Sequence, residues 1–184
     1  MDFDISRENR CLLLKTARAS IKAKQIGETF ELPETREGLD FMSGCFVTIH
    51  LRGRLRGCIG NFRDDVNIIE NVADMACQAA FADPRFGPVS IDELCMCDIE
   101  ISVLSPMIKA KAEDITVGRD GIYIIKGFSR GVLLPQVATE HDWDAETFLS
   151  QTCVKAGLQP EAWKDPETEI LRFEALVFQE NNLI

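Results

Sequence analysis

The chain has 184 residues and a mass of 20.6 kDa, a length typical of one domain or of two small subdomains that share a core. Its 46% apolar and 27% charged residues exclude a disordered chain, a collagen and a coiled coil. No apolar run approaches the roughly 20 residues that span a bilayer, and the acidic residues 1–4 lack the apolar region of a secretory signal. Seven cysteines without a paired spacing favour free thiols, so we expect a cytoplasmic protein.

The net charge of −10 disfavours nucleic acid and anionic membranes as partners, because both carry negative charge. Four arginines, Arg52, Arg54, Arg56 and Arg63, nevertheless lie in a stretch of twelve residues that contains no acid. Such a local cationic spot suits a small anion as ligand. The alternative is that these arginines pair with acids from neighbouring segments, as surface charges commonly do.

The first half of the chain predicts a helix followed by a β-hairpin. Ser6 is a good N-cap and Gly27 a good C-terminal residue for the helix. After a long loop, Cys45–Leu51 is rich in β-formers, and residues 54–60 return as a second strand. Arg52 and Gly53 supply the two-residue turn between them.

The central segment predicts a second helix and a third strand. Asp64 or Asp65 caps the helix, and the run 82–88, which contains two prolines, ends it. Residues 95–104 alternate between apolar and polar, which predicts a half-buried strand. Cys95 and Cys97 then share the apolar face of this strand.

The C-terminal half predicts three strands and one helix. Residues 122–126 and 132–134 form two strands, and a helix runs from Asp144 to Gly157. Residues 169–178 form a last strand. Its apolar face consists of Leu171, Phe173, Ala175 and Val177. Because strands and helices do not alternate regularly, the sequence predicts an α+β fold, an antiparallel-rich sheet with covering helices.

The segment 127–131 matches the G-x-S-x-G pattern of a hydrolase nucleophile elbow. An elbow needs a helix after the serine, whereas strand-like residues follow here, so a hairpin turn is the better interpretation. The glycines do not form a phosphate-binding or dinucleotide-binding loop. Cys95 and Cys97 are the only close cysteine pair, and core packing explains them. We therefore expect no cofactor and no metal.

The most unusual segment is 55–60, with Cys58 at its centre. In a regular strand Arg54 and Arg56 share a face with Cys58, so their guanidinium groups would favour its thiolate. Gly57 and Gly60 leave bare backbone beside the thiol, as a closely approaching ligand needs. These residues predict a reactive thiol in which Arg56 assists Cys58 and Arg54 binds an anion.

The alternative is a buried core cysteine in a tight hairpin. Leu55 and Ile59 would then pack inward, and pairing through the Arg52-Gly53 turn would place Val47 and Ile49 on the face of Cys58. That face would be partly covered.

His141 lies just before the predicted helix that begins at Asp144. An imidazole titrates near neutral pH, so His141 is a candidate proton carrier, with the adjacent Glu140 as a binding residue. The alternative is a solvent-exposed or capping histidine.

Residues 55–60 resemble the signature hexapeptide of the AMMECR-type domain family, the A type of the AmmeMemoRadiSam system. Further matches, in the same order, lie at residues 46–49, 82–86, 100–106, 133–138 and 148–158. Arg85 and Lys155 lie in these matching segments and join the candidate binding residues. The resemblance implies one domain over residues 1–184, of α+β class, with two unequal subdomains around a cleft. It also implies association with Memo-like and radical-SAM proteins, and it implies no particular reaction.

Two hypotheses follow. The first is an enzyme or ligand-modifying protein centred on Cys58, with Arg54 and Arg56 holding an anion and His141 carrying a proton. The second is a non-catalytic module that binds a small anion, a peptide or a partner such as a Memo-like protein.

Overall fold

We describe a computed structural model of the chain, which covers residues 4–34 and 37–183. The chain divides into two compact units, the first comprising Met1–Leu104 and Leu176–Ile184, the second Ser105–Ala175. The expectation about a secretory signal rests mainly on residues 1–3, which lie outside the described residues, as do residues 35–36 of the predicted long loop. The cleft implied by the resemblance stays a prediction.

The elements follow one another along the chain. In the first unit they are α1 (Arg7–Ile26), β1 (Cys45–Leu51), β2 (Arg54–Asn61), α2 (Ile68–Phe81), α3 (Ile91–Leu94) and β3 (Cys97–Leu104). They continue with β4 (Ile108–Lys109), β5 (Asp120–Lys126), β6 (Ser129–Leu133), α4 (Pro135–Glu140), α5 (Ala145–Lys155), β7 (Glu169–Gln179) and α6 (Glu180–Leu183). Strand β7 begins in the second unit and ends in the first, to which α6 belongs.

Helix α1 has the bounds that its sequence predicts. The Ser6 hydroxyl accepts a hydrogen bond from the Asn9 N–H at 3.2 Å, and Gly27 ends the helix with φ 73°. This φ is unfavourable for any residue with a Cβ, which explains why a glycine ends the helix there.

Helix α2 begins at Ile68, so the prediction that Asp64 or Asp65 caps it is wrong. Asn67 is the N-cap, and its side-chain oxygen accepts the Ile69 N–H at 2.9 Å. The same side chain donates to the Leu39 carbonyl at 3.0 Å. Asn67 therefore also fixes the long loop between α1 and β1. In the described residues neither Asp64 nor Asp65 bonds to this loop.

In the first unit, β1 lies between β2 and β3, and both pairings are antiparallel. Helix α2 packs on β1 and β2, and α1 packs on α2 and β3. The core between helices and sheet is fully buried at, for example, Leu13, Ile21, Val47, Ile49, Ile99 and Ile101. Each such side chain contributes about 1.5–3 kcal/mol through its removal from water.

The predicted strand 95–104 begins only at Cys97. The residues before it form α3, a short helix with a reciprocal cap: the Ser90 hydroxyl accepts the Glu93 N–H, and the Glu93 carboxylate accepts the Ser90 N–H. Cys95 ends this helix and is exposed, whereas Cys97 is buried. The prediction that both thiols share one strand face is therefore wrong, because the capped turn interrupts the alternation.

In the second unit, β7 pairs with β4 and β5, and β5 pairs with β6, all antiparallel. The predicted hairpin turn is confirmed, but it is shorter than the predicted residues 127–131, because strand β6 and not a helix begins at Ser129. Helix α4, which begins at Pro135, was not predicted. Helix α5 begins after its cap Asp144, as predicted, and buries Phe148 completely.

The last strand, β7, does not bury the face that its sequence predicts. Ile170, Phe173 and Phe178 are buried, whereas Val177 is 43% exposed. Ile170 packs into the second core and Phe178 into the first, and both lie on the face opposite the predicted one. Of the predicted face only Phe173 is buried.

The α+β class with an antiparallel sheet and covering helices is confirmed. Within the described residues, no helix combines the length and the apolar character that crossing a bilayer requires.

Candidate functional site

A β-bulge at Arg56 determines which side chains share a face with Cys58. Strand β2 pairs Cys58 with Thr48 and Leu55 with His50, and the register shifts between these pairs. Arg56 therefore has no partner on β1. A bulge of this kind reverses the alternation of faces beyond it.

The bulge overturns three expectations from the sequence. Arg54 pairs with Leu51 and so lies on the opposite face from Cys58. Leu55 does not pack inward but is 42% exposed. Val47 and Ile49 are fully buried on the core face, so they do not cover Cys58.

The Cys58 side chain is half-buried and has a polar neighbour. Its Sγ lies 3.1 Å from Thr48 Oγ1, and either atom can be the donor. The main chain of Cys58 points away from β1: its N–H donates to Asp83 Oδ2 at 2.9 Å, and its carbonyl accepts from Arg85 Nη2 at 3.1 Å. Cys58 and Thr48 are therefore a pair that shares no main-chain hydrogen bond. In an antiparallel sheet the side chains of such a pair lie closest together, which explains the short contact with Thr48.

Asp83 and Arg85 form a tight clamp on Cys58. The buried Asp83 carboxylate accepts the Arg85 main-chain N–H at 3.0 Å and its guanidinium at 2.9 and 2.7 Å. The Arg85 guanidinium holds the pKa of Asp83 well below its usual range. The Asp83 carboxylate raises the pKa of Arg85. Arg85 therefore places a guanidinium beside the main chain of Cys58.

The Arg56 guanidinium binds the segment between α2 and β3. It binds both carboxylate oxygens of Glu93 at 3.0 and 3.1 Å and donates to the carbonyls of Gly87 and Pro88 at 2.8 and 3.0 Å. Arg56 lowers the pKa of Glu93 to about 2. The alternative that the arginines pair with neighbouring acids therefore holds for Arg56, and Arg63 likewise pairs with Asp65.

The space beside Gly57 and Gly60 is filled by other residues of the chain. A Cβ on Gly57 would lie 2.2 Å from the Ala79 carbonyl oxygen of α2. A Cβ on Gly60 would lie 2.3 Å from the Phe46 ring. Both glycines therefore allow close packing of the hairpin, rather than leaving the open space that the sequence suggested.

Further polar residues share the face of Cys58, and sequence reasoning missed them. Thr48 is paired with Cys58 on one side and with Glu100 on the other, and His50 is paired with Asp98. Period-two alternation in the predicted strands could have grouped these residues with each other. Their relation to Cys58 depends on the bulge, which the sequence does not indicate.

Glu140, His141 and Lys155 belong to the second unit. His141 ends α4 and is exposed, and its ring stacks on Trp143 with centroids 4.7 Å apart. Glu140 and Lys155 are exposed at the C-terminal ends of α4 and α5. The structure thus brings Arg56, Gly57, Cys58, Gly60 and Arg85 together in the first unit.

All seven cysteines are free thiols. In residues 4–34 and 37–183, no group of three His, Cys, Asp or Glu side chains is arranged to hold a metal ion.

These features define an α+β protein whose candidate site is a half-buried cysteine on the edge strand of an antiparallel sheet. The chain matches the AMMECR1 family model over residues 14–178 and belongs to this family, which confirms the resemblance found in the sequence. It is 42% identical to a protein from Methanothermobacter thermautotrophicus, with 96% of this chain and 97% of that protein aligned. The crystal structure of the uncharacterized protein PH0010 from Pyrococcus horikoshii is similar, with 38% identity and a TM-score of 0.85, and covers 97% of this chain and 94% of its own.

Proposed function

We propose that the protein is a thiol enzyme that acts on a small anionic substrate, with Cys58 as nucleophile. The observation that carries this proposal is the Cys58 sulfur, half-exposed and 3.1 Å from the Thr48 hydroxyl, on a main chain fixed by Asp83 and Arg85. A nucleophile needs such fixed geometry and a neighbouring group that bonds to its sulfur.

In this reaction the Cys58 thiol loses its proton, and its sulfur forms a bond to an electrophilic carbon of the substrate. The bond from that carbon to the leaving group breaks, and the leaving group takes the proton. Thr48 donates a hydrogen bond to the sulfur as it becomes negative. Arg85 takes the role of anion holder that the sequence assigned to Arg54 and Arg56, because its guanidinium borders Cys58. The roles of His141 as proton carrier and of Glu140 and Lys155 in binding stay predictions.

The test compares thiols by their rates of reaction with iodoacetamide, mapped by mass spectrometry. Cys95 is the internal control, because it is exposed whereas Cys58 is half-buried. If Cys58 is activated, it reacts faster than Cys95 despite its lower exposure. Arg85→Gln should slow Cys58 about fivefold, which corresponds to roughly 1 kcal/mol of charge interaction, and should leave Cys95 unchanged. Arg56→Gln should leave the Cys58 rate within about twofold, because its guanidinium is occupied elsewhere.

A rate for Cys58 at or below that of Cys95 would remove the basis of the thiol-enzyme proposal. The same result would favour a non-catalytic module that binds a small anion, a peptide or a Memo-like partner. One observation argues against catalysis by these residues: Gly57 packs closely against α2 and Arg56 binds Glu93, so both stabilise the fold. Direct binding of a purified Memo-like protein, followed by analytical ultracentrifugation, tests the second candidate.

We also propose that residues 1–184 act as a single domain and that the protein works in the cytoplasm. Its seven free cysteines support a reducing compartment.

A further inference from the structure

A cavity of about 570 Å³ opens in the first unit beside one face of α1. The start of β3 and the start of α6 complete its wall. The residues around it do not include Cys58, Thr48, Asp83 or Arg85. Its volume is in the range that holds a small organic molecule.

The rigid part of this wall is the ion pair between Arg18 and Glu180. Arg18 donates to both oxygens of Glu180, and also to the carbonyls of Leu94 and Cys97 at 2.8 and 2.7 Å. Glu180 in turn accepts the Ile99 N–H at 2.9 Å. The two charges are neutralised by each other and held in place, so they leave the cavity no net charge.

The charges that remain are those of Lys15, Lys22 and Asp98. The two lysines lie seven residues apart on α1, which places them on the same face about 10 Å apart along the axis. Both are exposed, and neither forms an ion pair in the described part of the chain. The Asp98 carboxylate accepts the Asn181 main-chain N–H at 3.1 Å. The lining therefore carries a net positive charge on a protein whose total charge is −10.

The remaining wall is apolar. Ala19 lies between the lysines on α1, Cys97 borders the cavity from β3, and the aliphatic stems of Lys15 and Lys22 add apolar surface. A ligand that matches both properties has an apolar body and a negatively charged group.

We propose that this cavity binds a small organic anion with an apolar body, such as a medium-chain carboxylate or an aryl sulfonate. Lys15 and Lys22 hold the anionic group, and Ala19 and Cys97 contact the apolar part. This site is separate from the proposed thiol chemistry and uses none of its residues.

The test uses the full chain and 8-anilinonaphthalene-1-sulfonate, an aryl sulfonate whose fluorescence rises in an apolar site. The double variant Lys15→Met, Lys22→Met keeps the apolar stems and removes both charges. It should weaken binding of the probe at least about fivefold, because each ammonium contributes a partly screened attraction. Lys24→Met is the matched control on the same helix, at a lysine outside the cavity, and should change the dissociation constant less than about twofold.

Displacement then identifies the ligand class. Octanoate should displace the probe, and octylammonium, which has the same chain and the opposite charge, should not. In ¹⁵N-labelled protein, octanoate should shift the amide signals of Lys15, Ala19, Lys22 and Cys97. The proposal is overturned if the double variant binds the probe as the natural chain does, if octylammonium competes equally, or if the shifted signals lie elsewhere. Far-UV circular dichroism confirms that each variant is folded.

Discussion

The carboxylate of Asp83 accepts the main-chain N–H of Cys58 at 2.9 Å, across 25 residues of sequence. Because Asp83 also binds the Arg85 guanidinium, whose Nη2 reaches the Cys58 carbonyl, both main-chain groups of this one residue are fixed from the loop after α2. The position of the thiol thus depends on a carboxylate that the sequence analysis did not select.

Replacement of Asp83 should destabilise the first unit. Asp83→Ala leaves the Cys58 N–H and the Arg85 guanidinium without their acceptor, and we expect a loss of about 2–3 kcal/mol in the free energy of unfolding. Urea unfolding followed by far-UV circular dichroism measures it. Asp65→Ala is the control, since its ion pair with Arg63 is exposed and should contribute little to stability. Equal losses in the two variants would contradict the clamp.

Glycine is required at position 57 by packing. The Cβ of Gly57→Ala would lie 2.2 Å from the Ala79 carbonyl oxygen, so either α2 or β2 must shift. We expect a loss of about 2–3 kcal/mol in the free energy of unfolding, as for other overpacked sites. Gly87→Ala provides the comparison, because nothing lies within 4 Å of its Cβ and the change should stay within about 0.5 kcal/mol. If Gly57→Ala unfolds like the natural chain, the close contact with α2 is absent in solution.

The pair of Arg56 and Glu93 should give stability that depends on pH. Arg56 lowers the pKa of Glu93 from 4.5 to about 2 in the folded chain. A lowered folded-state pKa means that the pair stabilises the fold fully above pH 4.5 and loses this contribution as the pH falls towards 2. The difference in unfolding free energy between the natural chain and Glu93→Gln should therefore shrink over this interval. A difference that stays constant from pH 7 to pH 2.5 would mean that the charge of Glu93 does not stabilise the fold.

The rate at which Ellman's reagent modifies each thiol should fall as the burial of that thiol rises. Burial raises the pKa of the Cys45 thiol, and Cys45 and Cys153 are fully buried. Ellman's reagent should count seven thiols in urea, and in the folded chain it should leave these two unmodified. A count of five or fewer in urea would indicate a disulfide, and fast modification of Cys45 would contradict the described core.

Local signals predicted the elements whose ends are fixed by neighbouring residues. Ser6 and Gly27 set both ends of α1 because each acts within one helical turn of its own position. The turn at Arg52 and Gly53 was predictable for the same reason, and both residues have the positive φ that a two-residue hairpin turn requires.

The features that the sequence could not predict depend on long-range contacts. Arg56 forms the bulge while its guanidinium binds Glu93, 37 residues away. The one-residue shift moves Cys58 to the face of Leu55 and His50, so that Thr48 and not Val47 lies beside it. A hairpin sequence alone favours the regular register. The sequence therefore pointed to Cys58, which stays a candidate, but not to Thr48 and Asp83, which the structure places beside it.

Strand β2 lies at the edge of its sheet, where unpaired N–H and C=O groups can template the pairing of a second chain. At Cys58 both groups are already bound, by Asp83 and Arg85, and the bulge at Arg56 interrupts the regular spacing next to them. An extended segment of another molecule therefore cannot form regular main-chain hydrogen bonds to β2 at this position. The contacts that hold the thiol in place also protect the protein against edge-to-edge aggregation.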